Sequence, residues 1–163
     1  MNGFIADSML GKLAKWLKIA GHDVIYQKES NRAGLLKIAQ KENRIILTRD
    51  THISYDNMLF VESEMLWEQV EQVFRNYRAP HEKRKFSRCI LCNEELVIIE
   101  KKNVKGKVPP YVFKAHDNFL LCPSCGRIYW EGSHYKNMIK MLDKILVSIN
   151  RGDRRDENRR ETQ

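Results

Sequence analysis

The sequence contains no apolar run approaching the roughly 20 residues that a membrane-crossing helix needs, which excludes a transmembrane protein of that kind. Its opening, Met1-Asn2-Gly3-Phe4-Ile5-Ala6-Asp7, lacks a basic stretch followed by an apolar one, so no secretory signal is expected. The expected location is the cytoplasm, where thiols stay reduced. Cysteine is scarce: there are four, and all fall in two Cys-x-x-Cys pairs. Acidic side chains fall short of basic ones, 21 against 29, for a formal net charge of +8. No internal repeat is visible. Apolar residues, by contrast, make up 42% of the 163, which excludes a wholly disordered chain and allows one medium domain or two small ones.

The excess charge is unevenly placed. Residues 1–78 carry 11 Lys/Arg against 10 Asp/Glu, whereas residues 79–149 carry 13 against 7. A basic second half attracts polyanions, of which nucleic acid is the commonest in a cytoplasm. A merely soluble basic surface is the plainer alternative.

The first 78 residues alternate strand and helix patterns. Phe4–Ala6, Val24–Tyr26, Arg44–Thr48 and Met58–Val61 read as strands. Leu10, Leu13, Ala14 and Leu17 give a helix with one apolar face, for which Asp7 or Ser8 supplies a cap and Gly21 a stop. Leu35, Leu36, Ile38 and Ala39 mark a second helix, and Leu66, Val70, Val73 and Phe74 a third. The pattern predicts an α/β fold, a parallel sheet covered on both faces. Residues 77–85 read as a linker. Residues 86–149 then predict a small β-rich unit around the four cysteines, closed by a helix carrying Met138, Met141, Leu142, Ile145 and Leu146. The polar, arginine-rich residues 150–163 are expected to be a disordered basic tail.

Cys89-x-x-Cys92 and Cys122-x-x-Cys125 are separated by 29 residues. Two thiolates on one tight turn can share a metal, and two such turns complete a tetrahedral site, for which Zn²⁺ is the expected structural occupant. A disulfide or a redox pair is the weaker reading, given the compartment and the absence of a βαβ frame around either pair. Four protein ligands leave no open position for catalysis. Lys83, Arg84, Lys85, Arg88, Lys101, Lys102, Lys105 and Lys107 accompany this unit as candidate phosphate contacts. Phe86, Tyr111, Phe113 and Trp130 offer stacking faces, although core packing is the commoner role of such residues.

Asp7 follows the first strand and Asp50 the third, so a parallel sheet would bring both to its carboxyl edge, where open α/β folds build their sites. Taken singly, Asp7 suits a helix cap and Asp50 a turn. Taken together, two such acids call for a cation, Mg²⁺ or Mn²⁺, able to activate water against a phosphodiester.

The stretch Phe4-Ile5-Ala6-Asp7-Ser8-Met9-Leu10-Gly11-Lys12-Leu13-Ala14-Lys15-Trp16-Leu17-Lys18, with Gly21-His22-Asp23, resembles the opening of the Mut7-C RNase domain family. Arg44-Ile45-Ile46-Leu47-Thr48-Arg49-Asp50 resembles its second signature. The paired cysteines with Tyr129-Trp130-Glu131-Gly132-Ser133-His134 resemble its zinc-ribbon end. The resemblance implies a PIN-like nuclease domain over residues 1–78 fused to a zinc ribbon, and metal-dependent ribonuclease activity with Asp7 and Asp50 as site acids. The expected partner is RNA, with the ribosome or tRNA as candidates, and neither a membrane nor a small-molecule cofactor is expected. Lys12, Arg49 and His134 join the candidate RNA contacts, although packing beside Trp130 is the favoured role for His134, and His52 is a weaker candidate proton donor.

One departure stands out. Where the family usually shows an acid before its Leu-Leu pair, this chain has Asn31 and Arg32. Arg32 would then replace the divalent cation electrostatically, or Glu29, Asp56, Glu62 or Glu64 would supply the missing acid. The alternative to an active nuclease is therefore a catalytically degenerate RNA- or ribosome-binding factor. A protein-interaction module is the third reading.

Overall fold

The structure is a computed structural model that describes residues 3–29, 31–77 and 85–160, with side chains as far as residue 149. The first half holds β1 (Phe4–Ala6), α1 (Gly11–Ile19), β2 (Val24–Tyr26), α2 (Arg32–Glu42), β3 (Ile45–Thr48), β4 (Met58–Phe60) and α3 (Leu66–Asn76). The second half adds β5 (Val97–Ile99), α4 (Pro110–Ala115), β6 (Phe119–Leu121), β7 (Ile128–Tyr129) and α5 (Ser133–Arg160). As the alternation predicts, the first four strands form one all-parallel sheet, in the order β2-β1-β3-β4.

Side-chain alternation along the central strands assigns each face its helices. Phe4 and Ala6 of β1, with Ile45 and Leu47 of β3, point into a core shared with α1, α3 and α5. Ile5 and Ile46 point the other way, against Leu35 and Ala39 of α2 and against Ile53. Both faces are covered, which explains why β3 reads as a continuous apolar run. Gly21 stops α1 at φ 93°, a conformation that glycine adopts at little cost, while the amides of Gly21 and His22 return to the carbonyls of Lys18 and Leu17.

The second half is a three-stranded antiparallel sheet, β5-β6-β7. Its small core of Val104, Val108, Val112 and Phe119 packs against Phe113 and Trp130, so those two aromatics are structural. Phe86 is buried as well, stacked on Tyr135, and among the four proposed stacking faces Tyr111 alone is openly exposed. The short helix α4 has no counterpart in the periodicity, because six residues are too few to show one.

The two halves share a core. Met138, Leu142, Ile145 and Ile149 of α5 pack with α1 and α3 on the parallel sheet. A polar joint fixes the contact at the other end. Asp23, just before β2, accepts from Arg44 at 2.8 Å and from the Asn93 side-chain amide at 2.7 Å, and Asn93 Oδ1 accepts from the Val24 amide at 2.9 Å. Burial works to raise the Asp23 carboxyl, but the hydrogen bonds from Arg44 and Asn93 overcome it and hold the group below its ordinary value. Lys18 Nζ donates to the Leu91 carbonyl at 3.1 Å, and the Phe86 amide to the Ile19 carbonyl at 2.8 Å.

Two expectations change. The linker at 77–85 lies largely outside the described residues, since 78–84 are not among them. The tail expected to be disordered from residue 150 instead continues α5 to Arg160. Residues 150–160 contain no proline and five arginines, which tolerate helix, so they extend an existing helix without a new nucleation cost.

Asn93 sits at φ 67°, so glycine preserves its backbone while removing the bridging amide. Asn93→Gly is expected to cost roughly 1–3 kcal/mol and to lower Tm by roughly 2–10 °C. Thermal unfolding of metal-loaded protein checks this; an unchanged Tm would show that the joint contributes nothing.

Candidate functional site

Asp7 and Asp50 meet at the carboxyl edge of the parallel sheet. β1 and β3 are adjacent and in register, Ala6 beside Leu47, so the residues that follow them leave the sheet side by side. The Asp7 amide still reaches the Leu47 carbonyl at 3.1 Å. The Asp7 carboxylate is buried and fully engaged. Oδ1 accepts the Met9 amide at 2.8 Å, capping a short 3₁₀ turn, while Oδ2 accepts the Arg49 amide at 3.0 Å and the Thr48 hydroxyl. Thr48 Oγ1 in turn accepts the Asp50 amide at 2.9 Å. A single buried hydroxyl therefore links the two aspartates.

Asp50 itself faces Arg32, whose Nε and Nη2 fork onto Oδ2 and Oδ1 at 2.5 and 3.1 Å. The His52 amide donates to Oδ1 at 3.0 Å and the His52 ring lies 3.1 Å away. The His52 amide first, and then the Arg32 guanidinium, pull the Asp50 carboxyl down from 3.8 to about 2. Asp7, Ser8, Glu29, Asn31, Arg32 and Asp50 line one cleft of about 50 Å³.

Of the proposed third acids, Glu29 is the one that lines this cleft, exposed at its rim. Glu62 is exposed on the stretch after β4, whose carbonyls at Val61 and Glu62 bind Arg49 at 3.3 and 2.7 Å, with Glu64 paired to the same guanidinium at 3.2 Å. Arg49 thus anchors the β4–α3 loop. Asn31 uses its oxygen to cap α2 through the Gly34 amide at 2.9 Å, which accounts for it as a helix cap.

The second candidate centre is the cysteine cluster. Among the described residues it is the one group of three or more His, Cys, Asp or Glu donors close enough to share an ion, with all four Sγ atoms within 4.8 Å of one another. The two turns are built alike. Asn93 and Gly126 donate their amides back to the carbonyls of Cys89 and Cys122, each from a left-handed conformation directly after the second cysteine. The Tyr129 hydroxyl lies 3.1 Å from Cys89 Sγ. Burial works to raise the Cys89 thiol, yet the Tyr129 hydroxyl and the amides of Cys92 and Leu91 lower it to about 6, which favours the thiolate a metal requires. These four residues could hold a structural metal ion.

The candidate RNA contacts divide by environment. Lys12, Lys105, Lys107 and His134 are exposed. Lys85 is enclosed and paired with Asp143 at 2.6 Å, and Arg88 donates to the Asn93 carbonyl at 2.8 Å and to Glu95 at 3.0 Å, so both spend their charge inside the chain. Lys83 and Arg84 lie outside the described residues. No sequence pattern singled out Thr48 or Tyr26, since their roles depend on distant partners.

Compared with known proteins, the chain matches the profile of the family described as Mut7-C RNAse domain over residues 2–142, a span that includes the parallel sheet and all four cysteines. No curated protein and no solved structure matches it.

Arg32→Ala is expected to raise the Asp50 midpoint from about 2 part of the way back towards 3.8, the His52 amide still holding it down. Because the folded value is depressed, stability from Asp50 is complete above the ordinary value and fades as pH falls towards about 2. A carboxyl-carbon NMR titration reads the midpoint directly; an unmoved value in the variant would show that the pair does not form. At the cysteines, Cys122→Ser is expected to abolish tight binding of the metal ion and to unfold the small sheet, as read by metal analysis and circular dichroism.

Proposed function

Because the chain belongs to the Mut7-C RNAse domain family, we propose that it acts on RNA, engaging the phosphodiester backbone at the cleft between Asp7 and Asp50. Membership of an RNase domain family points to an RNA-related nuclease function. The observation that carries the finer reading is the Arg32 fork on Asp50. That fork supports the reading because it holds a guanidinium beside the paired aspartates, able to meet a phosphate oxygen as a cation would.

The acidic cleft does not fit a divalent ion as it stands. Asp7 already accepts three hydrogen bonds, Asp50 is forked by Arg32, and no third carboxylate among the described residues joins them. Asp50, held near 2, is also a weak general base at neutral pH. The arrangement therefore favours holding RNA over cutting it. Arg32 is 55% exposed along its side chain, and exposed ion pairs are worth little, so a phosphate oxygen can take its outer N–H groups. Asp50 then positions the guanidinium, and Thr48 and Asp7 position Asp50.

Zinc is the metal that suits the cysteine cluster. A tetrahedral ZnS₄ centre with Zn–S near 2.3 Å separates its sulfurs by about 3.8 Å, and Cys89–Cys125 and Cys92–Cys122 stand at 3.7 and 3.3 Å. Bound zinc supplies structure and no chemistry, holding the basic second half against the sheet. Exposed Lys105 and Lys107 on that half extend the field that draws in the backbone.

Hydrolysis is the second reading, favoured by the family itself, and it requires Arg32 to leave Asp50. Incubating a fluorescent single-stranded RNA with the zinc-loaded chain and Mg²⁺ or Mn²⁺ separates the two. Salt-dependent binding, weakened about fivefold or more by Arg32→Ala, with no cleavage beyond that of Asp50→Asn, is the expected result. Cleavage that Asp50→Asn abolishes would put hydrolysis in its place, and an absence of binding would overturn both.

A further inference from the structure

The cleft at the aspartates, about 50 Å³, has room for a phosphate group but not for a nucleoside. A second concavity lies beside it. A groove of about 490 Å³ runs between α1, β2 and the first cysteine turn, lined among others by Gly11, Lys15, Lys18, Tyr26, Leu91 and Asn93. Its volume lies in the range of sites that enclose small organic ligands.

Tyr26 separates the two concavities. Its hydroxyl donates at 3.0 Å to the carbonyl of Ser8, and Ser8 lines the aspartate cleft while Tyr26 lines the groove. Gly11 lies against the same end of the ring, where an added Cβ would come 3.0 Å from the ring and hydroxyl. An exposed aromatic fixed in this way is an ordered stacking face. Leu91, between two metal-ligating cysteines, is 54% exposed and adds an apolar contact on the groove's other wall. Lys18 is buried, and its bond to the Leu91 carbonyl sets the position of that turn. Lys15 is exposed and has no ion-pair partner among the described residues, and Lys12 shares its face of α1 three residues earlier.

We propose that this groove is a nucleotide subsite. It takes one base of a single-stranded RNA between Tyr26 and Leu91, with the adjoining phosphate on Lys15 and the next phosphate passing over Ser8 into the aspartate cleft. The aromatic face suits any base, so the subsite recognises a splayed single strand and not a sequence. A duplex keeps its bases stacked and presents only its backbone. The proposal rests on the RNA reading of the preceding subsection.

The test uses the full zinc-loaded chain and a ten-residue oligouridine, with affinity read by fluorescence anisotropy. Lys15→Glu and Leu91→Ala are each expected to weaken binding by about tenfold. Lys140→Glu, the same charge reversal on α5, is expected to change it by less than about twofold. Oligouridine carrying 4-thiouridine is expected to photocrosslink to Tyr26 or Leu91, as located by mass spectrometry, and a blunt duplex of equal length is expected to bind more weakly. Metal content and Tm of each variant establish that it is folded, and the crosslink needs no substitution at all. If oligouridine binds but neither substitution matters and the adducts lie elsewhere, the subsite is overturned while the RNA reading stands. Equal affinity for the duplex overturns it too. If no RNA binds, both fall.

Discussion

The short strand β1 has only three residues, and the whole candidate site depends on its parallel pairing with β2 on one side and β3 on the other. Parallel strands all end at one edge, so chain segments far apart in sequence arrive there together. Asp7 leaves β1 at that edge, Tyr26 closes β2, and Thr48 closes β3. Their hydrogen bonds then convert adjacency into fixed geometry. Thr48 joins the Asp7 carboxylate to the Asp50 backbone amide, and Tyr26 reaches the carbonyl directly after Asp7. A buried hydroxyl in such a place must find both a donor and an acceptor, and here the two aspartate segments supply them.

Much of this was legible in the sequence, and the legible part is periodic or local. The alternation of strand and helix patterns gave the layered sheet, because burial on both faces leaves a continuous apolar signature in β3. The cysteine pairs announced a metal centre, because a tight turn places two thiolates together whatever surrounds it. Arg32 was recognisable as a cation in an unexpected place. Its choice of Asp50 over Asp7 was not, since that depends on Asp7 being buried and already accepting from three donors of its own surroundings.

Contacts without a period stayed hidden. Nothing in the residues around Asn93 indicates that its amide will reach Asp23 and Val24, some seventy positions earlier. Lys85 and Arg88 looked like surface charge, but their partners Asp143 and Glu95 come from a later helix and from across a turn. Polarity beyond residue 149 reads as disorder, yet α5 continues there, because a helix already under way needs only residues that tolerate it.

The first cysteine turn performs two tasks with the same few residues. Cys89 and Cys92 offer sulfur to a metal, while Leu91 and Asn93 hold α1 and the start of β2. Geometry that a bound metal would impose is thereby transmitted to one wall of a groove that the parallel sheet alone does not possess. Such an arrangement resists modular exchange. Transplanting the ribbon onto another sheet, or swapping in a ribbon with a different residue after the second cysteine, removes the joint along with the ligand loop. The heritable unit in this chain is thus the pairing of sheet and ribbon, and substitutions on either side of the joint are expected to be tolerated only in compensating combinations.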